Sequence, residues 1–389
     1  MTLKTLKTLR TLKTLKTLMQ NNEHIWTIIM AGGLGSRFWP VSQTDNPKQF
    51  IDVVGVGRSM LQLTFERFEH LCPREHIIVV TGEAYVERVR EQLPGLEPYQ
   101  VLAEPLRRNT APCVAYAVAV IRERDPEATL IITPSDHAIF RKGRFLADME
   151  QAVATAQQHD WIITFGAQPT RPDTSYGYIQ FREQPSLPDA NNLHKVITFT
   201  EKPPVAIARQ MIASGEFFWN TGLLVMRMPV LLDAYRRYLS DLTDHFFRLS
   251  SNTAPEDLTY VYSRSEAISI DHGIMEKADN VYVLAASFVW SDVETWESLY
   301  EVSRHDRNGN AIFGGSVFTY DTRNCLVVMP DEADKNVILE GLEGYIVAAS
   351  EDTLMICRRK NEDQVFRFSS DVELKRLIDS KEVKGSEKE

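Results

Sequence analysis

From Trp26 onward, short runs of apolar residues alternate with stretches whose apolar positions recur at helical spacing. The runs Ile28–Met30, Ile77–Thr81, Val101–Leu102, Thr129–Thr133 and Ile162–Phe165 have the length and composition of buried strands. Between them, Met60–Leu71, Ala84–Leu93, Ala111–Arg124 and Phe145–His159 carry the helical period. Strand–helix alternation of this kind predicts an α/β domain with a doubly wound, mostly parallel sheet. Ligands in such sheets sit beyond the carboxyl ends of the strands. Past Gln168 the pattern shifts to short strands separated by Pro, Gly and Asn, including Tyr176–Ile179 and Val196–Phe199. After Arg307 come regularly spaced β-rich pieces, Gly314–Tyr320, Asn324–Met329, Val337–Leu339, Tyr345–Ser350 and Thr353–Arg358, which predict a small solenoid-like or sandwich domain. The expected layout is an extension over 1–22, a large domain over 23–306, a small β domain over 307–374, and a charged tail over 375–389 that forms a short helix and a frayed end.

The extension repeats Thr-Leu-Lys from residue 2 to 18, with one Arg in place of Lys. A period of three winds the leucines around a helix instead of stacking them on one face, so a disordered segment is expected over an amphipathic membrane-binding one.

Composition narrows the function classes. A chain of 389 residues with 43% hydrophobic positions can bury more than one core. The net charge of −10 argues against a general nucleic-acid or anionic-membrane surface, because affinity there comes from many basic contacts, but it leaves room for a small basic pocket. Cys72, Cys113, Cys325 and Cys357 are far apart and lack C-x-x-C spacing, so neither a zinc site nor a disulfide framework is expected, and a reduced cytoplasmic setting fits. The longest apolar stretch, Cys113–Ile121, is too short to span a bilayer, and no secretory signal is expected.

The strongest candidate chemistry lies in Ile28–Phe50, where a strand runs into Ala31-Gly32-Gly33-Leu34-Gly35, followed by Arg37 and Lys48. Glycines leave backbone N–H groups open to an anion, and the two cations supply charge. Pro40 and Pro47 stiffen the loop. The spacing matches neither the dinucleotide fingerprint nor the G-x-x-x-x-G-K-[ST] loop, and a purely structural glycine turn is as common on glycines alone. Four later stretches also sit after strands or at rims. Glu104-Pro105…Arg108-Asn109-Thr110 leads into an Ala-rich helix, where Asn and Thr are also ordinary caps. Pro134-Ser135-Asp136-His137 ends a strand, where Asp is either a turn former or a ligand for a hard divalent cation. Phe199-Thr200-Glu201-Lys202-Pro203 reads as a solvated turn or as a phosphate and hydroxyl contact, and Phe217–Gly222 reads as aromatic core with a polar rim.

The pattern GGLGSRFWPVS…PKQF, together with the segments just quoted and with Ser269-Ile270-Asp271 and Trp290-Ser291-Asp292, resembles the mannose-1-phosphate guanylyltransferases, a branch of the sugar-1-phosphate nucleotidyltransferases. The resemblance implies a Rossmann-like nucleotidyltransferase domain with a left-handed β-helix-like C-terminal segment that assists homodimerisation. It implies a Mg²⁺-dependent transfer of GMP from GTP to mannose 1-phosphate, with release of pyrophosphate. It assigns catalytic roles to Arg37, Lys48, Asp136, Lys202 and Asp292, with Asp136 and Asp292 holding the metal. Nucleotide contacts fall on Ala31, Gly32, Gly33, Gly35, Arg108, Asn109, Thr110 and Ser135, and sugar contacts on Tyr176, Gly177, Glu201, Asn220 and Thr221. Glu276 and Lys277 are expected to support the pocket from behind.

The chain departs from the family pattern at Gln43, Arg107, His272 and Glu294. The sugar phosphate is already anionic at neutral pH, so attack on the α-phosphorus needs positioning and charge neutralisation without a general base. Two other functions stay open at this point: transfer between a different sugar phosphate and nucleotide, and a catalytically silent regulatory homologue.

Overall fold

The computed structural model describes residues 23–33, 38–187, 190–330 and 336–386. The Thr-Leu-Lys repeat, Gly35 and Arg37 lie outside the described residues. The chain divides into two compact units that do not follow chain order. The first comprises the chain up to Gly32, Gln62–Ser135 and Ile139–Trp290; the second comprises Gly33–Leu61, Asp136–Ala138 and everything from Ser291 onward.

The first unit is built on a nine-stranded sheet. Its strands are β1 (Ile25–Met30), β2 (Ile77–Gly82), β3 (Val101–Glu104), β4 (Thr129–Pro134), β6 (Ile162–Ala167), β7 (Gly177–Leu187), β8 (Ala190–Glu201), β9 (Phe217–Arg227) and β10 (Val281–Ala285), with β5 (Ala138–Phe140) and β11 (Val289–Ser291) outside it. The nine lie in the spatial order β3-β2-β1-β4-β9-β6-β10-β8-β7. Strands β1 to β4 pair in parallel, as do β6 and β10. Strands β8 and β9 run against the other seven. The expected α/β class and mostly parallel sheet are therefore present, with β9 inserted in reverse at the centre.

Apolar runs without alternation form the central strands because both faces are covered. Trp26 and Ile28 of β1, Ile78 and Val80 of β2, and Leu130 and Ile132 of β4 share one cluster with the helix Thr110–Arg124. The intervening residues Ile29, Val79 and Ile131 are equally buried. Elsewhere in this unit Phe145 stacks edge-on against Phe68 and Phe288. Residues Ala111 to Ile121 of the Ala-rich helix are all buried, as expected for a helix that is apolar all round. No helix among the described residues is long and apolar enough to cross a membrane.

The second unit contains a coil of short strands. Strands β12 (Ala311–Phe313), β14 (Leu326–Val328) and β16 (Tyr345–Ala349) pair in parallel, with β17 (Leu354–Arg358) added antiparallel. A second parallel ladder joins β13 (Ser316–Tyr320) to β15 (Asn336–Glu340). Cys325, Val327, Leu339 and Val347 fill the space between the ladders, which makes this a solenoid-like turn of chain. Gly309, at φ 77°, abuts the Asn324 side chain, so a Cβ there would have neither conformation nor room. The last helix runs Val365–Ser386. It starts well before the charged tail in which a short helix was expected, because the apolar Val365 is buried and anchors its first turn.

Candidate active site

The two units each carry part of the residue set that the sequence singles out. In the second unit, the short helical turn Lys48–Phe50 follows Pro47, whose extended conformation starts it cleanly. All three residues of the turn are buried. Gln49 Nε2 donates to Gly33 O at 2.9 Å and so ties the turn back to the glycine loop. Lys48 Nζ lies 3.0 Å from Asp136 Oδ2 and donates to the backbone carbonyl of Asp292 at 2.6 Å. Three residues far apart in sequence thus meet around one ammonium group.

Asp136 follows the end of β4, and Asp292 follows β11. Burial alone would push the Asp136 carboxyl up; Lys48, His137 and its own backbone amide outweigh that and hold it below the usual carboxylate range. It is ionised at neutral pH. Asp292 Oδ1 accepts the Glu294 N–H at 3.0 Å, so Glu294 is held to Asp292 through its backbone. Between them Val293 adopts φ 47°, a left-handed conformation that a β-branched residue takes only where its surroundings enforce it. Such strain costs roughly 1–3 kcal/mol and concentrates at functional sites.

In the first unit, Ala31 is fully buried and continues β1 by donating to Val80 O at 2.7 Å. Gly32 lies beside the Glu104 carboxylate at the end of β3. Glu104 is buried, accepts the Tyr262 hydroxyl at 3.1 Å, and is pushed up to about 7 by burial. Asn109 takes φ 67° and caps the helix Thr110–Arg124 by accepting the Thr110 N–H. Thr110 Oγ1 accepts the Ile270 N–H at 2.9 Å, and Ala111 N–H donates to Ile268 O at 3.1 Å. Arg108 bonds backbone carbonyls. Its Nε donates to Tyr262 O at 2.9 Å and its Nη2 to Ser263 O at 3.3 Å, both near the end of the helix Pro255–Arg264. Ser135 is buried, and its N–H donates to Met30 O.

The sugar-motif residues converge where β7, β8 and β9 pair. Gly177 pairs with Glu201, and a Cβ on Gly177 would stand 2.6 Å from Glu201 Oε2 and 3.4 Å from Asn220 Cβ. A side chain on Gly177 would have to displace that carboxylate. Tyr176 is buried edge-on against Trp219 at 4.8 Å between ring centroids, with Trp290 at 5.3 Å. Lys202, at φ 47°, extends into solvent 3.8 Å from Glu201, a pair too exposed to contribute much to stability. Thr221 is fully buried and its hydroxyl donates to Phe165 O, which places it inside the sheet. Asn220 Nδ2 donates to Asp271 Oδ1 at 2.8 Å. His272 and Glu276 pair with each other at 2.9 Å.

The structure therefore gathers Lys48, Asp136 and Asp292 in one unit, and Gly177, Glu201 and Asn220 in the other. It directs Arg108 and Thr221 to structural partners. Glu104, Gln49 and Asp271 are placed among these groups without having been assigned a role from sequence. Glu104 had a legible signal, since it ends an apolar strand on the ligand side of the sheet.

Residues 26–309 match the nucleotidyl transferase family. The chain is 32% identical over 346 residues to mannose-1-phosphate guanylyltransferase of Escherichia coli (strain K12), covering 86% of this chain and 70% of that protein. It is 30% identical over 359 residues to the alginate biosynthesis protein AlgA of Pseudomonas aeruginosa, covering 89% and 72%. Among solved structures it resembles a mannose-1-phosphate geranyltransferase from Thermus thermophilus, with a TM-score of 0.80, 29% identity, and coverage of 90% of this chain and 99% of that one. Enzymes of this kind generally use a divalent metal ion. With the family matched across most of the chain and the fold shared over nearly its whole length, this chain belongs to the nucleotidyl transferase family and is a transferase enzyme.

Proposed function

We propose that the chain transfers GMP from GTP to mannose 1-phosphate, giving GDP-mannose and pyrophosphate. The observation that carries this reading is Lys48, a buried ammonium 3.0 Å from the Asp136 carboxylate and bonded to the Asp292 carbonyl. Burying a lysine is costly unless it is paired and bonded, and this one is committed to the two positions that a phosphoryl-transfer site would use. Relatives of about one-third identity named for mannose 1-phosphate and guanylyl transfer support the choice of substrates.

Mg²⁺ fits the donor set. Asp136 and Asp292 offer hard carboxylate oxygens within one unit, and Mg²⁺ takes one or two carboxylates while keeping water or substrate phosphate as its other ligands. When bound, the ion would offset phosphate charge. The chain's own residues do the rest. Lys48 keeps Asp136 ionised and fixed. The bare amides around Gly32 and Gly33 face phosphate, while Asn109 and Thr110 hold the turn at the nucleotide side. Glu201 and Asn220 orient the sugar, and Lys202 meets its phosphate. An oxygen of the sugar phosphate then bonds to the α-phosphorus as the bond to the β-phosphate's bridging oxygen breaks, and pyrophosphate carries away the electron pair. Roles for Gly35 and Arg37 at the triphosphate complete this reading from sequence alone.

We further infer a catalytic domain over 23–306 with a C-terminal β domain over 307–374, a homodimer, and a cytoplasmic setting. The outer face of β13 and β15 exposes Phe318, Tyr320 and Ile338, an apolar strip suited to a second copy. Four free, buried thiols suit a reducing compartment. The decisive experiment incubates the purified chain with a panel of nucleoside triphosphates, hexose 1-phosphates and Mg²⁺, and measures pyrophosphate. Turnover is expected with GTP and mannose 1-phosphate above every other pair. Preference for another pair overturns the substrate assignment, and no release with any pair overturns the activity.

A further inference from the structure

Asp271 opens a turn of wide, π-type helix, Asp271–Met275, on the same unit as the sugar motif. It is half-buried, so its carboxylate is neither sealed in the core nor fully hydrated. A carboxylate has roughly four lone-pair sites, and few of them are used here. Among the described residues, the donors facing it are Asn220 Nδ2 at 2.8 Å and its own backbone amide. Burial raises the Asp271 carboxyl above the ordinary range; these two donors only partly offset this, and the like charge of Glu276 adds to it. A partly desolvated carboxylate with unused acceptor sites is stabilised by any further donor.

Its neighbours say which donor. Asn220 is itself fixed: its Oδ1 accepts the Gly222 N–H at 3.1 Å and the Thr164 hydroxyl at 3.4 Å. Asn220 also borders Gly177, beside the Glu201 carboxylate. On the other side, the residues just before Asp271 are braced against the nucleotide motif, with Ile270 N–H on Thr110 Oγ1 and Ile268 O accepting from Ala111. Asp271 is thus held from two motifs at once and lies next to the residues read as contacting sugar. Hydroxyl groups are donors of the kind such a carboxylate lacks.

We propose that Asp271 is a further sugar-binding residue, whose carboxylate, oriented by Asn220, accepts a hydroxyl of the hexose 1-phosphate. This rests on the transferase reading above, and it divides the labour at Asn220, which becomes the positioning residue for Asp271 as well as a rim contact. A carboxylate that accepts a hydroxyl discriminates against a sugar lacking that hydroxyl, because its own acceptor sites are then left unmet.

The test uses the full chain, pyrophosphate release, mannose 1-phosphate and each of its monodeoxy analogues. Asp271→Asn keeps the shape and an oxygen for Asn220. It is expected to raise KM for mannose 1-phosphate about tenfold to a hundredfold while KM for GTP stays within about threefold, the range for loss of a hydrogen bond to a charged group. One monodeoxy analogue, penalised by the wild type, is expected to lose that penalty in the variant. An unchanged KM for the sugar phosphate, or an equal loss toward GTP and every analogue, overturns the proposal and leaves Asp271 a purely structural group. Should Asp271→Asn fail to fold, Asp271→Ser is read by the same two criteria. If the wild type prefers a different substrate pair, the substrate assignment fails by itself, and the deoxy series of the preferred sugar still decides the role of Asp271.

Discussion

Lys48 is sealed and Asp136 is not: the lysine side chain is 4% exposed, the aspartate side chain 28%, with Nζ and Oδ2 3.0 Å apart. The cation is built into the protein, and the anion it holds faces outward.

Replacing Lys48 by Met is therefore expected to do two things. Turnover falls roughly a hundredfold or more, as on loss of a charge-stabilising donor. Stability falls by about 2 kcal/mol, because Asp136 loses its cation while remaining partly hydrated. Pyrophosphate release and urea unfolding measure the two effects, and wild-type turnover in the variant would remove Lys48 from the reaction.

The two aspartates are not equivalent. Asp136 meets Lys48 through its carboxylate, whereas Asp292 meets it through its backbone carbonyl. Both Asp136→Asn and Asp292→Asn are expected to abolish metal-dependent turnover. Only Asp136→Asn is expected to lower stability as well, by about 1–2 kcal/mol. A metal titration left unchanged in either variant would take that residue out of the metal site.

Glu104 makes stability pH-dependent. Burial lifts its carboxyl to about 7 in the folded chain, above the ordinary 4.5. Between those two values the folded state binds the extra proton, so stability is greatest below about 4.5, is lost as pH rises, and levels off above about 7. The loss amounts to about 3 kcal/mol at most. Glu104→Gln, which still accepts from Tyr262, is expected to flatten this slope and to be the more stable chain at pH 8. Parallel pH–stability curves for the two proteins would show that Glu104 does not titrate in this window.

Arg108 is expected to matter through the helix Pro255–Arg264, where it bonds the carbonyls of Tyr262 and Ser263. Arg108→Ala should cost about 1–2 kcal/mol of stability, the value of two hydrogen bonds to a charged group at a partly exposed helix end. A large rise in KM for GTP without loss of stability would return Arg108 to the nucleotide.

The strands and helices of the sheet were legible because each is a local pattern. An apolar run bounded by turn residues needs no knowledge of its neighbours. The loop with Lys48 and the aspartate at the end of β4 were legible for the same reason, since each pairs a local motif with a strand end. What escaped depends on partners distant in sequence. Nothing in the aromatic run Phe217–Trp219 announces that β9 reverses between β4 and β6. The resemblance places Arg108 at the nucleotide, and no local pattern announces that its side chain also bonds carbonyls 154 and 155 positions away. Asp271 stood in view within a motif, but its role follows from Asn220, 51 positions earlier.

The second unit is assembled from three stretches of chain that leave the ribosome far apart in time. Lys48 emerges early, yet the carbonyl that receives its ammonium belongs to a residue 244 positions later. Until then, of the two partners described for that ammonium, the chain supplies only the Asp136 carboxylate, and the turn Lys48–Phe50 lacks part of what compensates the burial of its lysine. A nascent chain can complete most strands of the first unit while its charged cluster is still unformed. Completion of the cluster is therefore tied to late synthesis: a chain halted before Ser291 lacks one of the acceptors that seat its own lysine.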